Sequence, residues 1–379
     1  MRCTVLYAYP PEPDGQSLQG DALYKGILHS GEAVVPCHFR GRTQKDFYLK
    51  YYNLDVAFGI GFWGNVPEVV REPLEHGVRP VPWFNADGWV ANYHDEFDSL
   101  DIMFTTSEWV RQIYKRDGVN VSKIMPMHIG IDTDMFKPTD NPEYNKSVKE
   151  MLGVRDNEKM ILTIGGDVTS KGAQEMMKAL AGVDKEFKDW KYVCKAWPSD
   201  HSAEWREHEV KLAKKLGILD KIIFVDDEFS QDFMVHLINA ADIYAAPSRI
   251  EGFGMIQVEA MSCGKPVISI NKMGPCETIL HNRTGLLAKV SEEIVLNQEW
   301  VYPSMGFKRK KVLKFKEPKT FAYRADIDDL REFTLKLLAD DGLRGKMGNL
   351  GREHAVKNFD YRHTSKVMVD ATKKKLGLD

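Results

Sequence analysis

The sequence predicts an α/β protein made of two doubly wound halves in tandem, facing one another across a cleft. Three observations lead there. Short apolar runs alternate with amphipathic stretches of helical period from one end to the other, which is the pattern of parallel strands covered by helices on both faces. The alternation pauses once, over residues 137–157, in a polar segment with two prolines. It then starts afresh with a new strand and a Gly-Gly turn at Gly165 and Gly166.

Taken in order, residues 4–8 form the first predicted strand. A glycine-containing loop (Asp14, Gly15, Gly20) and a helix near 21–29 follow. Residues 55–59, 81–84 and 102–105 read as buried strands, and 107–116 as a helix with Ser107 as its N-cap. The pause at 137–157 is the expected interdomain linker. Beyond it, 160–164 is a strand, 171–180 a helix, and 192–196, 222–225, 243–246 and 266–270 are four more strands. The expected division is therefore 1–150, 151–358 and a returning C-terminal helix at 359–379. Ligands of such sheets sit beyond the carboxyl ends of the strands. One region breaks the pattern. Residues 291–324 are irregular and basic (Lys308, Arg309, Lys310, Lys311, Lys314, Lys316, Lys319), with Val312, Leu313 and Phe315 as a short strand of a surface hairpin. It reads either as a solvated insertion or as a contact for an anionic acceptor, a lipid head group or a partner subunit.

Composition narrows the function classes. The chain has 379 residues, enough for two cores, and is 43% hydrophobic and 28% charged, as in soluble globular proteins. Its formal net charge of −3 gives no global field toward nucleic acid, so nucleic-acid binding is not expected. The five cysteines are scattered, with no CxxC pair or His partner at metal spacing, so neither a disulfide framework nor a metal site is expected. The N-terminal apolar run is too short for a signal peptide or membrane span. A cytoplasmic protein is the expectation, with peripheral attachment at the inner membrane face through 308–319 as an extension of it.

The most informative stretch is 247–266. Gly252 and Gly254 leave little side chain between Glu251 and the following helix, so the N–H groups around Phe253 and the helix start are open to an anion such as a diphosphate. Were most of the segment helical, the Glu251 and Glu259 carboxylates would lie roughly 12 Å apart along the axis. That span suits a nucleotide sugar, one carboxylate accepting from sugar hydroxyls and the other from ribose. Glu259 lies among Val258, Ala260 and Met261, an apolar setting in which an unpaired carboxylate is costly.

Glu251 and Glu259 end an E-x7-E motif whose surroundings (PSR-EGFG…EAM-CGKPV) resemble the retaining glycosyltransferases of family 4, which have the GT-B fold of two Rossmann-like domains. ILTIGGDVTSKG at 161–172, AADIY at 240–244, TGLL at 284–287, TTSEWV at 105–110, IGIDTDMFKP at 129–138 and the tail from Phe359 are similar to further segments of that family. The resemblance implies transfer of a hexose from a nucleotide-diphosphate sugar, UDP- or GDP-linked, to an acceptor hydroxyl on a glycan, lipid or small metabolite. It implies no metal and no cofactor. It makes Lys171 the diphosphate-binding lysine and places the Gly166 loop and Gly15 beside the donor.

Two departures stand out. The family's arginine four residues before that lysine is Asp167 here, so Lys195 and Arg249 are candidate replacements. The histidine many members carry after the fourth strand is replaced by Asp87-Gly88, as in an Asp-Gly subset of the family, which makes Asp87 the candidate facing the donor sugar and His94 its rival. A GT-B nucleotide-sugar epimerase and a binding module without turnover are the alternatives.

Overall fold

The computed structural model describes residues 1–86 and 88–378. The chain divides into two compact units. One comprises Met1–Asp132, Val295–Phe321 and Asn358–Asp379; the other comprises Thr133–Ile294 and Ala322–Lys357.

The first unit carries a six-stranded sheet of β1 (Arg2–Tyr7), β2 (Ala33–His38), β3 (Val56–Phe62), β4 (Arg79–Asn85), β5 (Met103–Thr105) and β6 (Ile124–Pro126), in the order β2-β1-β3-β4-β5-β6. All its pairings are parallel. β1 and β3 are almost wholly buried, as expected of strands covered on both faces. Ser107 caps the helix Glu108–Arg116 through Val110 N–H at 3.2 Å, as its sequence position predicts. The C-terminal helix Tyr361–Leu376 packs on the helix Gly15–His29 of the same unit. The contact is so close that a Cβ on Gly26 would lie 2.1 Å from Ser365 Oγ.

The second unit repeats the plan. It has β7 (Lys159–Ile164), β8 (Trp190–Lys195), β9 (Ile222–Val225), β10 (Ile243–Ala245), β11 (Val267–Ile270) and β12 (Gly285–Ala288), ordered β12-β11-β10-β7-β8-β9 and all parallel. The order reverses between β7 and β10, which pair through Ile161↔Ile243 and Leu162↔Tyr244. That reversal is the switch point at which doubly wound sheets open a crevice.

Two segments differ from the sequence expectation. The stretch read as a linker contains the helix Pro142–Met151, with Asn141 as N-cap and Pro142 at its first position. It belongs to the second unit. Lys149 pairs with Asp242 at 2.6 Å, and the Asn239 side chain ties Lys137 O and Thr139 N. A polar, exposed helix face resembles a linker in composition, which is why the sequence pattern misled. The basic insertion is a long hairpin of β13 (Val290–Val301) and β14 (Lys311–Ala325). Its base belongs to the second unit and its outer part to the first. Leu313 and Phe315 pack on the first unit's core beside Trp89, while Lys314 and Lys316, which alternate with them, stay exposed. The period-2 alternation is there, diluted by charge.

Candidate active site

The switch point sets the geometry. The loop after β7 (165–172) and the loop after β10 (246–254) leave adjacent strands, so residues 80 apart in sequence meet. Lys171 Nζ lies 2.7 Å from Glu251 Oε2. The other oxygen, Oε1, accepts from Gly254 N–H at 3.0 Å and Phe253 N–H at 3.5 Å. The helix itself starts only at Met255 and runs to Ser262, entered through Gly254 at φ +96°. Glu251 therefore stands on a loop folded back over the helix entrance. The axial separation from Glu259 computed for a continuous helix does not apply.

Glycines make this crossing possible. Gly172 has φ +84°, and a Cβ there would lie 2.3 Å from Pro247 O, so the two loops touch backbone to backbone. Gly274, which the sequence reading passed over, lies flat on the donor loop. Its N–H donates to Glu251 O at 3.1 Å, and a Cβ would meet Gly252 O at 2.5 Å and Phe253 N at 2.6 Å. Gly166 faces open space except for Trp197, and its carbonyl accepts from Ser202 Oγ at 2.7 Å. Thr169 fastens the same loop to Glu209, a carboxyl whose pKa burial pushes up to about 7.

Glu259 lies one turn inside the helix and is almost wholly buried. Among the described residues its carboxylate has no hydrogen-bond partner, and burial alone raises its pKa to about 8. Asp167, which replaces the expected arginine, accepts from Ser170 N–H at 2.6 Å and so closes the turn ahead of Lys171. It has a structural task within the loop.

The two candidate replacement cations each have partners within the second unit. The Arg249 guanidinium is bound to Glu175, at 3.0 Å from Oε1 and 3.1 Å from Oε2, and to Gln174. Glu175 is buried and is also paired with Arg324 from the hairpin base. A buried carboxylate needs compensation, and it takes both arginines. Lys195 is buried at the end of β8, donating to Ala196 O at 2.8 Å with its ammonium 3.6 Å from the Trp197 ring centroid. Burial lowers its pKa to about 8, against the opposing pull of Asp227, Asp226 and Glu228.

In the first unit, Gly15 is the first residue of its helix, and Asp14 caps the amides of Gln16 and Ser17 there. The His94 ring is engaged at Nε2 with Asp117 O, 2.8 Å away. Asp87 lies outside the described residues. The loop after it is held by a buried carboxylate: Asp117 accepts from Val90 N–H at 2.7 Å, from Arg116 at 2.9 Å and from Lys319 at 2.6 Å. These partners, Arg116 foremost, hold its carboxyl below the usual aspartate range against the cost of burial. Among the described residues no group of His, Cys, Asp and Glu is placed to hold a metal ion, and no helix is long and apolar enough to cross a membrane.

Two parallel six-stranded sheets covered by helices are the GT-B fold, and solved glycosyltransferases share it. Sucrose-phosphate synthase from Thermosynechococcus elongatus superposes with a TM-score of 0.76 over the whole of both chains at 15% identity. Anabaena HepE in complex with UDP and glucose superposes at 0.73, covering 99% of this chain and all of that one, at 13% identity. Residues 145–299 match the family described as "Glycosyl transferases group 1". D-inositol 3-phosphate glycosyltransferases of Mycobacterium tuberculosis and Mycobacterium bovis are 28% identical over 224 residues, 59% of this chain and 44% of theirs. The chain thus spans less than half the length of the curated relatives it matches.

Proposed function

We propose that this protein is a retaining hexosyltransferase of the family 4 type, taking its sugar from a UDP- or GDP-linked donor and passing it to an acceptor hydroxyl without a metal ion. The observation that carries the reading is the Lys171–Glu251 pair over the entrance of the helix Met255–Ser262. Lys171 and the N–H groups of Phe253 and Gly254 form a small positive focus, and Glu251 supplies its counter-charge. A donor diphosphate is a stronger anion for the same groups. On binding it would take over Lys171 and the helix entrance, releasing the Glu251 carboxylate to accept from sugar hydroxyls. Glu259, buried and without a partner among the described residues, is suited to ribose hydroxyls.

Catalysis then rests on stabilising the leaving diphosphate and holding the acceptor hydroxyl on the face it leaves, with a phosphate oxygen taking the hydroxyl proton. Asp87 is assigned to the donor sugar on the family resemblance alone. The UDP and UDP-glucose bound to HepE favour a uridine donor. A cytoplasmic location is part of the same reading.

The test is turnover of UDP- and GDP-hexoses by the purified chain. Lys171→Ala and Glu251→Ala should each lower kcat/KM by about 10²–10³-fold, as loss of one group stabilising a developing anion does elsewhere. EDTA should leave activity unchanged. Two variants as active as the parent protein would refute the site.

A further inference from the structure

The outer part of the hairpin of β13 and β14 has two faces, and the fold uses one of them. Its inward face is occupied. Leu296, Val301, Leu313 and Phe315 pack on the first unit's core. The strand from Leu313 to Lys319 also closes a pocket of about 440 Å³ with Trp89, Arg116 and Asp117. The inward cation is already engaged, since Lys319 pairs with Asp117 and lies over the Phe315 ring, 5.1 Å from its centroid. The tip is fastened too. Asn92 Nδ2 donates to Met305 O at 3.2 Å, and Gly306 lies so close to Tyr93 that a Cβ there would strike its hydroxyl. The hairpin is a platform held at strand and tip, not a free arm.

The outward face is chemically different. Strand alternation turns Lys314 and Lys316 away from the core, because Leu313 and Phe315 face it. The two lysines stand roughly 7 Å apart along the strand. Trp300, beside the buried Val301, is turned outward in the same way and is 45% exposed, with Tyr302 at 37%. Lys310 joins the two rings, its ammonium 4.7 Å from the Trp300 centroid and 5.2 Å from that of Tyr302. Lys308, Arg309, Lys310, Lys311, Lys314 and Lys316 are all exposed, and none is in an ion pair among the described residues. Residues 295–321 hold seven basic residues against two acidic ones in a chain of net charge −3, so the field here is locally positive.

The rings decide among anionic partners. Aromatic faces that would stack on nucleic-acid bases carry the Lys310 ammonium instead. Tryptophan and tyrosine combine an apolar body with one N–H or O–H, and such side chains settle at the head-group level of a bilayer. Lysines beside them lay their stems along apolar groups and keep the ammonium at the level of the phosphates.

We infer that the outward face of this hairpin docks the protein on an anionic lipid surface, Trp300 and Tyr302 entering the head-group layer and Lys310, Lys314 and Lys316 meeting the lipid phosphates. The attachment is peripheral, and it is independent of the proposed transfer reaction.

Sedimentation of the full chain with phosphatidylcholine–phosphatidylglycerol vesicles, and with vesicles of phosphatidylcholine alone, tests the inference. The parent protein should bind the anionic vesicles at least about tenfold more tightly than the neutral ones, and the difference should shrink as salt rises. The triple variant Lys310→Glu/Lys314→Glu/Lys316→Glu should lose at least about tenfold in affinity for the anionic vesicles. Trp300→Ser/Tyr302→Ser should lose about three- to tenfold, and that loss should persist at high salt because it is apolar. An unchanged thermal midpoint in both variants would show that the fold is intact. If the parent protein does not bind the anionic vesicles, or either variant binds them as tightly as the parent, the inference falls. It falls equally if a single-stranded oligonucleotide binds the parent protein more tightly than the vesicles do. The assay contains no nucleotide sugar, so its failure would leave the proposed function standing.

Discussion

The switch point of the second unit and the hairpin pocket of the first each hold a buried carboxylate between two cations, and differ in the charges left over. At the switch point Lys171 is matched by Glu251, and Arg249 and Arg324 by Glu175. In the pocket one buried carboxylate, Asp117, is matched twice over, and two lysines on the outward face of the same strand go without. The difference teaches what each arrangement can do. A closed set of pairs holds its groups in place and admits a ligand only by exchange, as when a diphosphate replaces a carboxylate. An open set attracts an ion from solution and loses nothing when it binds.

The charge matching at the switch point depends most on Glu175. Glu175→Gln leaves two guanidinium groups around a buried position and should cost about 3 kcal/mol of stability in the second unit, read by denaturant unfolding. Nucleotide affinity should fall with it, because Arg249 O also fixes Tyr323 N–H and the donor loop at 2.8 Å. A variant as stable as the parent would show that the pairs at the switch point are not a closed set.

Asp117→Asn is the matching change in the first unit. It weakens two charge-assisted contacts and should cost about 2 kcal/mol. Because the Asp117 pKa is lowered in the folded chain, its contribution is complete above the ordinary aspartate pKa and disappears as pH falls through the lower folded value. The parent and the variant should therefore converge in stability in acid. A constant gap across that range would remove the ion pairs from the explanation.

The smallest effect is expected at Glu259. Its folded pKa of about 8 lies above the unfolded value, so this group destabilises the fold increasingly as pH rises from the usual carboxylate range through 8. Ribose hydroxyls would favour the ionised form. UDP binding at neutral pH should thus release up to about one proton, measured by calorimetry in buffers of different ionisation enthalpy, and Glu259→Gln should abolish the release. Equal release in both proteins would remove Glu259 from the nucleotide contacts.

Much of the site is legible in the sequence because it is built from short-range features. The glycines around Glu251, the helix that follows them and the Lys171-Gly172 pair each announce themselves within a dozen residues. The partners that engage Arg249, Lys195 and Asp167 were not legible in the chain. Arg249 looked available beside Glu251, but Glu175 lies 74 residues away in sequence and 3.0 Å away in space. Lys195 looked like a spare cation at a strand end, but Trp197 and burial claim it. Asp167 looked like a neighbour of the donor anion, and it also closes the turn to Ser170.

The sequence by itself determined the alternation of strands and helices, the two Gly-rich loops and the acidic residues on them. Hydrophobic period, turn chemistry and backbone freedom act over a few residues and leave their mark in the chain. The tertiary structure alone decided which charge meets which. The order of strands in each sheet brings Lys171 to Glu251, Glu175 to two arginines and Lys319 of the hairpin to Asp117. Electrostatic partners are chosen by distance and burial, and both exist only once the sheets have formed.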